Sequence, residues 1–319
     1  MKRIIALISL TLVLVLALAS CGGTTKLAMG TGGTGGTYYA FGGVLGQYIK
    51  NNAGFDCVPL PTDGSKANIQ GIDAGEYQLG TVQSDVMAYA WQGTNSFAKD
   101  GKIDSFRVIG GLYAEAVQLI TVDPEIKTVA DLAGKKVSIG APASGVYFNA
   151  IDVLAAVGLT ENDIQAQYQS FNDSAESLKD GRIDAAFVVA GAPTPAVMEL
   201  MTTNQNARLV PIDGEVSATI MASCPYYTEY NIPAGTYNGQ AEDVTTITVK
   251  ATLIVSADLD EDTVYAITKA IFDNAADIAK EHAKGAELSI ENATSGMTAP
   301  FHKGAAKYFA EKGVNVDAQ

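Results

Sequence analysis

Short apolar runs alternate along this chain with longer stretches in which apolar residues recur every three or four positions. The first pattern predicts strands and the second amphipathic helices. Residues 27–30 (LAMG) read as a strand, followed by the glycine-rich loop TGGTGG. A helix follows over TYYAFGGVLGQYIKNN, with Phe41, Val44, Leu45, Tyr48 and Ile49 on one stripe. FDCVPLPT predicts a second strand, SKANIQGIDAG a helix, QLGTVQ a third strand and SDVMAYAWQG another helix. FRVIGGLYAEAVQLITV predicts one or two strands.

A second block begins at Thr128, which is placed to cap a short helix over VADLAG. KKVSIG, AQYQSF, IDAAFVVAG and ARLVPID read as strands. VYFNAIDVLAAVG, SAESLKDG and PTPAVMELMTT read as the helices between them. The stretch from Cys224 to Val244 reads as irregular, ATLIVSADL as a long strand, and DEDTVYAITKAIFDNAADIAKEHA and FHKGAAKYFAEKG as closing helices. This alternation predicts an α/β fold with mainly parallel sheets and right-handed crossovers.

A length of 319 residues exceeds what one compact core usually holds, which predicts two lobes. NIQGIDAGEYQLGTVQSD and SLKDGRIDAAFVVAG share one order, helix, glycine turn and small-residue strand, as two similar lobes would. The chain is expected to leave one lobe, build the other and return, crossing near 113–120 and 247–255. Residues 26–114 and 252–319 then form lobe 1, residues 115–251 form lobe 2, and a ligand cleft lies between them.

The N-terminus changes the setting. Lys2 and Arg3 precede an apolar run from Ile4 to Ala19, and Leu18-Ala19-Ser20-Cys21 has the form of a bacterial lipobox. Residues 1–20 are expected to be a lipoprotein signal peptide, Cys21 the lipidated residue and 21–25 an anchor and spacer. The protein would then be extracytoplasmic and held at the membrane by lipid. Cys57 and Cys224 fit no zinc spacing and read as buried small apolar residues, with a disulfide as the alternative.

The net charge is −14, and loss of Lys2 and Arg3 would make the mature chain more acidic still. No basic stripe is present, which argues against nucleic acid as a partner. A small anion can still be held locally by backbone N–H groups.

Three loops offer such groups. Gly30-Thr31-Gly32-Gly33-Thr34-Gly35 matches the dinucleotide spacing, but the acid that spacing requires is misplaced: Asp56 comes before the apolar part of its strand. The glycines instead let the backbone approach a ligand at a helix start, with Thr34 and Thr37 adding hydroxyls. Thr62-Asp63-Gly64-Ser65 offers a second start, with Ser65 or Asp63 as cap and Asn68 one turn in. Ala141-Pro142-Ala143-Ser144-Gly145 offers a third, from the other lobe. His282 and His302 sit in no catalytic motif; His282 is expected to be solvated and His302 to pack the start of the last helix. No catalytic residue, metal site or cofactor is expected.

These loops also carry a resemblance. GTGGTGGTYYAFGG, TDGSKANIQGIDAGEYQLGTVQSD, GGLYAEAVQLITV, LAGKKVSIGAPASGVYFNA, LKDGRIDAAFVVAGAPTPAVMEL, IPAGTY and PFHKGAAKYFAEKG resemble, in order, the TAXI family of TRAP-transporter solute receptors. The resemblance implies a type II periplasmic-binding-protein fold, a TRAP permease as partner and a small carboxylate such as glutamate, glutamine or a dicarboxylate as ligand. A monomer is expected, and the thin enzyme signatures lead to the expectation of no enzymatic activity. Carried over, it places Gly35, Tyr38, Ser65, Asn68, Gln83, Tyr113, Ser144 and Gly145 at the ligand, with Phe187 and Pro193 as walls. Thr34 and Val146 complete the candidate set. Departures at Ala143 and at Val146-Tyr147-Phe148 imply a more aromatic pocket through Tyr147 or Phe148. No arginine falls in these motifs, so backbone amides and hydroxyls would hold the anion. The alternatives are a ligand-sensing lipoprotein serving a signalling partner and an exported enzyme on the same fold.

Overall fold

The computed structural model describes residues 25–319. The expected signal peptide, Cys21 and the spacer before Thr25 lie outside the described residues. The chain builds β1 (Lys26–Gly30), α1 (Thr37–Ala53), β2 (Asp56–Leu60), α2 (Ser65–Asp73), β3 (Leu79–Gln83) and α3 (Ser84–Gln92). A single strand, β4 (Phe106–Thr121), follows. Then come β5 (Lys136–Ser138), α4 (Gly145–Ala156), β6 (Gln165–Gln167), α5 (Phe171–Lys179) and β7 (Ala185–Ala190). They are followed by α6 (Pro195–Thr203), β8 (Arg208–Val210), α7 (Gly214–Ser223) and β9 (Thr228–Ile232). The long β10 (Val244–Ser256) leads into α8 (Glu261–Phe272), α9 (Ala275–Glu281), α10 (Ile290–Thr294) and α11 (Lys303–Glu311).

The sheet repeats one motif. β2, β1 and β3 pair in parallel, and the end of β10 joins β3 antiparallel, from Ala251 opposite Gln83 to Val255 opposite Leu79. β6, β5 and β7 also pair in parallel, and the end of β4 joins β7 antiparallel, from Ala116 opposite Ala190 to Thr121 opposite Ala185. Each long strand therefore lends its C-terminal part to one set. The two also pair with each other from Thr248 opposite Ala116 to Ser256 opposite Phe106, with register shifts after Ala251 and Leu253.

Burial follows this division. One core joins β1–β3, α1 and the start of β4 to the end of β10 and the C-terminal helices, through Met29, Phe41, Leu79, Ile109, Leu253, Ile267 and Phe309. Two more cores flank β7. Phe187 and Val189 face one and Ala186 and Val188 the other. A strand buried on both faces needs the continuous apolar run AAFVVA rather than an alternating one. Cys57 and Cys224 are buried in different cores and both are free.

Three expectations are corrected. The segment from Cys224 to Val244 contains β9, which pairs with β10 from Thr228 to Ile232. Residues 214–223, for which no element was expected, form α7. The helix expected across 260–283 breaks between α8 and α9, where Asp273 turns to accept hydrogen bonds from Tyr308 and Lys312 of the last helical segment.

Small residues let α1 lie close on β2. A Cβ added at Gly46 would sit 2.5 Å from the Cys57 carbonyl oxygen, and that backbone is held in the sheet. Gly43, on the same helix, is exposed and a Cβ there meets nothing within 4 Å. Gly46→Ala is therefore expected to destabilise by about 1–3 kcal/mol through overpacking. Gly43→Ala is expected to stabilise by about 0.5–1 kcal/mol through helix propensity. Urea unfolding of both variants checks the opposite signs.

Candidate functional site

Helices α1, α2 and α3 each begin where a parallel strand of the first set ends, and α4 begins just after β5 in the second set. All four starts meet around one cavity of about 80 Å³. The first set contributes Gly36, Thr37, Tyr38, Thr62–Ser65 and Gln83, and Glu115 comes from β4. The second contributes Gly140, Ala141, Ser144–Val146, Gln169–Phe171, Val189 and Ala190.

An α-helix leaves its first N–H groups without intrahelical partners. Side chains usually supply acceptors, yet the N-cap residues of α1, α2 and α3 (Gly36, Gly64 and Gln83) make no such bond. The expectation that Ser65 or Asp63 caps α2 is thus corrected: Gly64 takes the cap position at φ 109°, and the Ser65 hydroxyl instead accepts from the Gln83 N–H at 3.1 Å. At α4 the Ser144 hydroxyl accepts from the Tyr147 N–H at 3.2 Å. Uncapped starts add donors and the positive end of the helix dipole to the cavity rim.

The two halves touch on both sides of the cavity. On one side the Ala67 N–H donates to the Ala143 carbonyl at 3.3 Å. On the other the Ala196 N–H donates to the Gly35 carbonyl at 3.1 Å, and the Asn172 side chain to the Thr34 hydroxyl at 3.3 Å. The Thr37 hydroxyl donates to the Gly191 carbonyl at 2.7 Å. The Gly191–Thr194 turn is braced in its turn by Tyr237, whose hydroxyl accepts from the Thr194 N–H at 2.9 Å and donates to Gln118.

The candidate residues divide accordingly. Tyr38, Ser65, Gln83, Ser144, Gly145 and Val146 line the cavity. Thr34, Gly35, Asn68, Tyr113, Phe187 and Pro193 do not. Thr34 and Gly35 are occupied in the contact between halves, and Pro193 lies in the braced turn. Asn68 is fully buried. Its amide donates to the Thr31 and Thr81 carbonyls at 2.6 and 2.8 Å, and its oxygen accepts from Thr62 at 2.6 Å, so it ties two loops to β3 from behind. Tyr113 packs edge-on against Phe41, and Phe187 faces a core. The aromatic pocket expected from Tyr147 or Phe148 does not form: Tyr147 reaches outward to Glu161, and Phe148 packs on Tyr147. Tyr38 and Phe171 are the aromatics in the lining. His282 is half-buried against Phe41, not solvated, whereas His302 caps α11 as expected of a packing role.

Sequence reasoning missed Glu115. It is 1% exposed and accepts a hydrogen bond from the Tyr38 hydroxyl at 2.9 Å. Burial holds its carboxyl well above the usual carboxylate range and raises Tyr38 likewise. The available signal was one acid in the otherwise uncharged run from Val108 to Thr121. Asp85, in the first turn of α3, was missed as well. Asn149 of α4 donates to it at 3.0 Å and to the Tyr227 hydroxyl at 2.7 Å, and Tyr227 donates to Asp152 at 2.8 Å. Burial pushes Asp85 up to about 7. Asp85 Oδ1 and Asn149 Oδ1 are both buried without a hydrogen-bond partner.

Among the described residues, no cluster suited to a metal ion and no helix long and apolar enough to cross a membrane occurs. Residues 29–313 match the NMT1-like family, and the chain belongs to it. Solved structures share the fold. A protein of Bordetella bronchiseptica RB50 superposes with a TM-score of 0.53 at 18% identity, over 90% of this chain and 89% of that one. A candidate L-cystine ABC transporter from Listeria monocytogenes gives 0.52 at 17%, over 83% and 98%. The binding-protein component of an ABC phosphonate transporter from Pseudomonas aeruginosa gives 0.52 at 9%, over 82% and 79%. The architecture is that of periplasmic binding proteins.

A carboxyl whose pKa is raised on folding binds its proton more tightly folded than unfolded. Its contribution to stability therefore falls as the pH rises from the ordinary 3.8 to about 7. Asp85→Asn replaces the carboxyl by a permanently neutral amide that can pair with Asn149. At pH 8 it is expected to stabilise the protein by on the order of 2 kcal/mol. The advantage should shrink below pH 7 and vanish near pH 4, as read by urea unfolding across that range.

Proposed function

We propose that this chain is the extracytoplasmic receptor of a TRAP-type secondary transporter, capturing a small carboxylate such as glutamate, glutamine or a dicarboxylate. The observation that carries this reading is the cavity itself: helix starts from both halves, most without side-chain caps, surround one small space. Such starts favour a carboxylate, and a ligand gripped from both halves favours their contact. The lining contains no His, Cys, Lys or Arg, which supports retention of the ligand over turnover.

Tyr38, Ser65, Gln83, Ser144, Gly145 and Val146 are assigned to ligand contact. Thr34, Gly35, Asn68, Tyr113, Phe187 and Pro193 are assigned to holding those contacts or the join in place. Residues 26–114 with 252–319 act as one lobe and 115–251 as the other. Cys21 would carry the lipid anchor, and a monomer would deliver ligand to the permease. Two of the solved neighbours, both assigned to ABC systems, support capture for transport. The TRAP partner rests on the ordered motifs from the glycine-rich loop to the last helix.

A Cβ on Gly145 would lie 1.6 Å from Gln83 Oε1 across the join. Gly145→Val is expected to fold normally but to keep the halves apart. In a thermal-shift screen of amino acids and dicarboxylates, the parent should gain stability with its ligand. The gain is about 2.7 kcal/mol at a hundredfold excess over Kd. The variant should lose most of that gain while keeping its ligand-free melting temperature. Uptake into vesicles bearing the permease should follow an ion gradient; uptake requiring ATP would place the chain in an ABC system instead.

A further inference from the structure

The acceptors in the cavity exceed what a purely anionic ligand needs. Glu115 and Gln83 are 1% and 2% exposed, and both line the space. Gln83 Oε1 is buried and has no donor. Tyr38 supplies one hydrogen bond to Glu115, and no basic side chain lines the cavity. Lys284, the cation whose charge reaches Glu115, is held by Glu287 at 2.7 Å. The other titratable groups acting on Glu115 or Tyr38 are Asp85 and Tyr113, neither of which supplies positive charge. A buried carboxylate with no cation, beside a buried amide oxygen with no donor, is an arrangement that a proton or a ligand's cationic donor would complete.

Resting on the receptor reading of this cavity, we infer that Glu115 and Gln83 form a subsite for the ligand's ammonium group, so that the protein selects amino acids over the corresponding deaminated acids. The ligand's carboxylate meets the uncapped helix starts, and its ammonium meets the two acceptors. In the empty cavity burial favours the protonated form of Glu115. An arriving ammonium favours the carboxylate, and the proton passes to solvent, so binding releases a proton and strengthens as the pH rises. A dicarboxylate offers no donor to this end and adds like charge once Glu115 ionises.

The test pairs each amino acid with its deaminated counterpart by calorimetry on the intact protein: L-glutamate with glutarate, L-glutamine with glutaramate, L-alanine with propionate and L-leucine with 4-methylpentanoate. The expected result is at least one amino acid binding tenfold or more tighter than its counterpart. Binding should release a proton, seen as a heat that depends on the buffer's ionisation enthalpy. Glu115→Gln preserves shape and the Tyr38 contact; it should lose amino-acid affinity at least tenfold and abolish the proton release. Counterparts binding as tightly as the amino acids would overturn the subsite and leave the receptor reading standing. Binding by none of the compounds would overturn both. The parent protein alone decides between these results, whether or not the variant folds.

Discussion

The cavity depends on where helix N–H groups go. A parallel strand followed by a helix delivers free donors at the strand's C-terminal edge, and a fold that buries them needs an acceptor for each. Here Gly36, Gly64 and Gln83 stand at three cap positions, and none provides one with its side chain. Gly64 goes further, taking a positive φ that brings backbone toward Ser144 of the other half. The shared gap is thereby rich in donors while the chain as a whole is strongly acidic. Local amides can govern binding over a few ångströms because salt screens the distant carboxylates.

That division explains the two long strands. A site assembled from two sets of helix starts needs both sets at a common edge; β10 joins the first set, β4 joins the second, and the two pair with each other. Glu115 lies on β4 immediately before Ala116, where pairing with β7 begins. A side chain there faces the gap without belonging to either set of loops. The same placement brings Asp85 and Asn149 together, so two buried carboxyls flank the join, and neither has a salt-bridge partner.

Much of this was legible in the sequence, because strand and helix periods are local properties. The faint echo between NIQGIDAGEYQLGTVQ and SLKDGRIDAAFVV marks α2–β3 and α5–β7, which occupy equivalent places in the two parallel sets. Glycine-rich loops at strand ends located the cavity. What the sequence could not separate was a residue in the lining from one just behind it. Asn68 and Ser65 lie three positions apart on α2, yet only Ser65 lines the cavity, while Asn68 turns inward to satisfy buried carbonyls. Thr34 and Gly35 have chemistry that suits a ligand, and that same chemistry serves contact between the halves. Glu115 escaped notice because motif reasoning attends to loops, and its significance comes from burial.

The contacts between halves also bear on how binding is balanced. Backbone and hydroxyl bonds at Ala67, Ala196, Thr37 and Asn172 each favour contact by about 0.5–1.5 kcal/mol net. Around the join Asp85 Oδ1 and the Gln83 oxygen are buried with no donor, and leaving one polar group buried without a partner costs about 1–3 kcal/mol. The terms are of similar size and opposite sign. Contact is then close to neutral until something supplies the missing donor, and a ligand's differential affinity for the joined form is what can tip it. Replacing the buried acceptors by apolar groups would remove the opposing term and let the halves meet without cargo. The unmatched oxygens of Asp85 and Gln83 thus oppose contact between the halves until a donor reaches them.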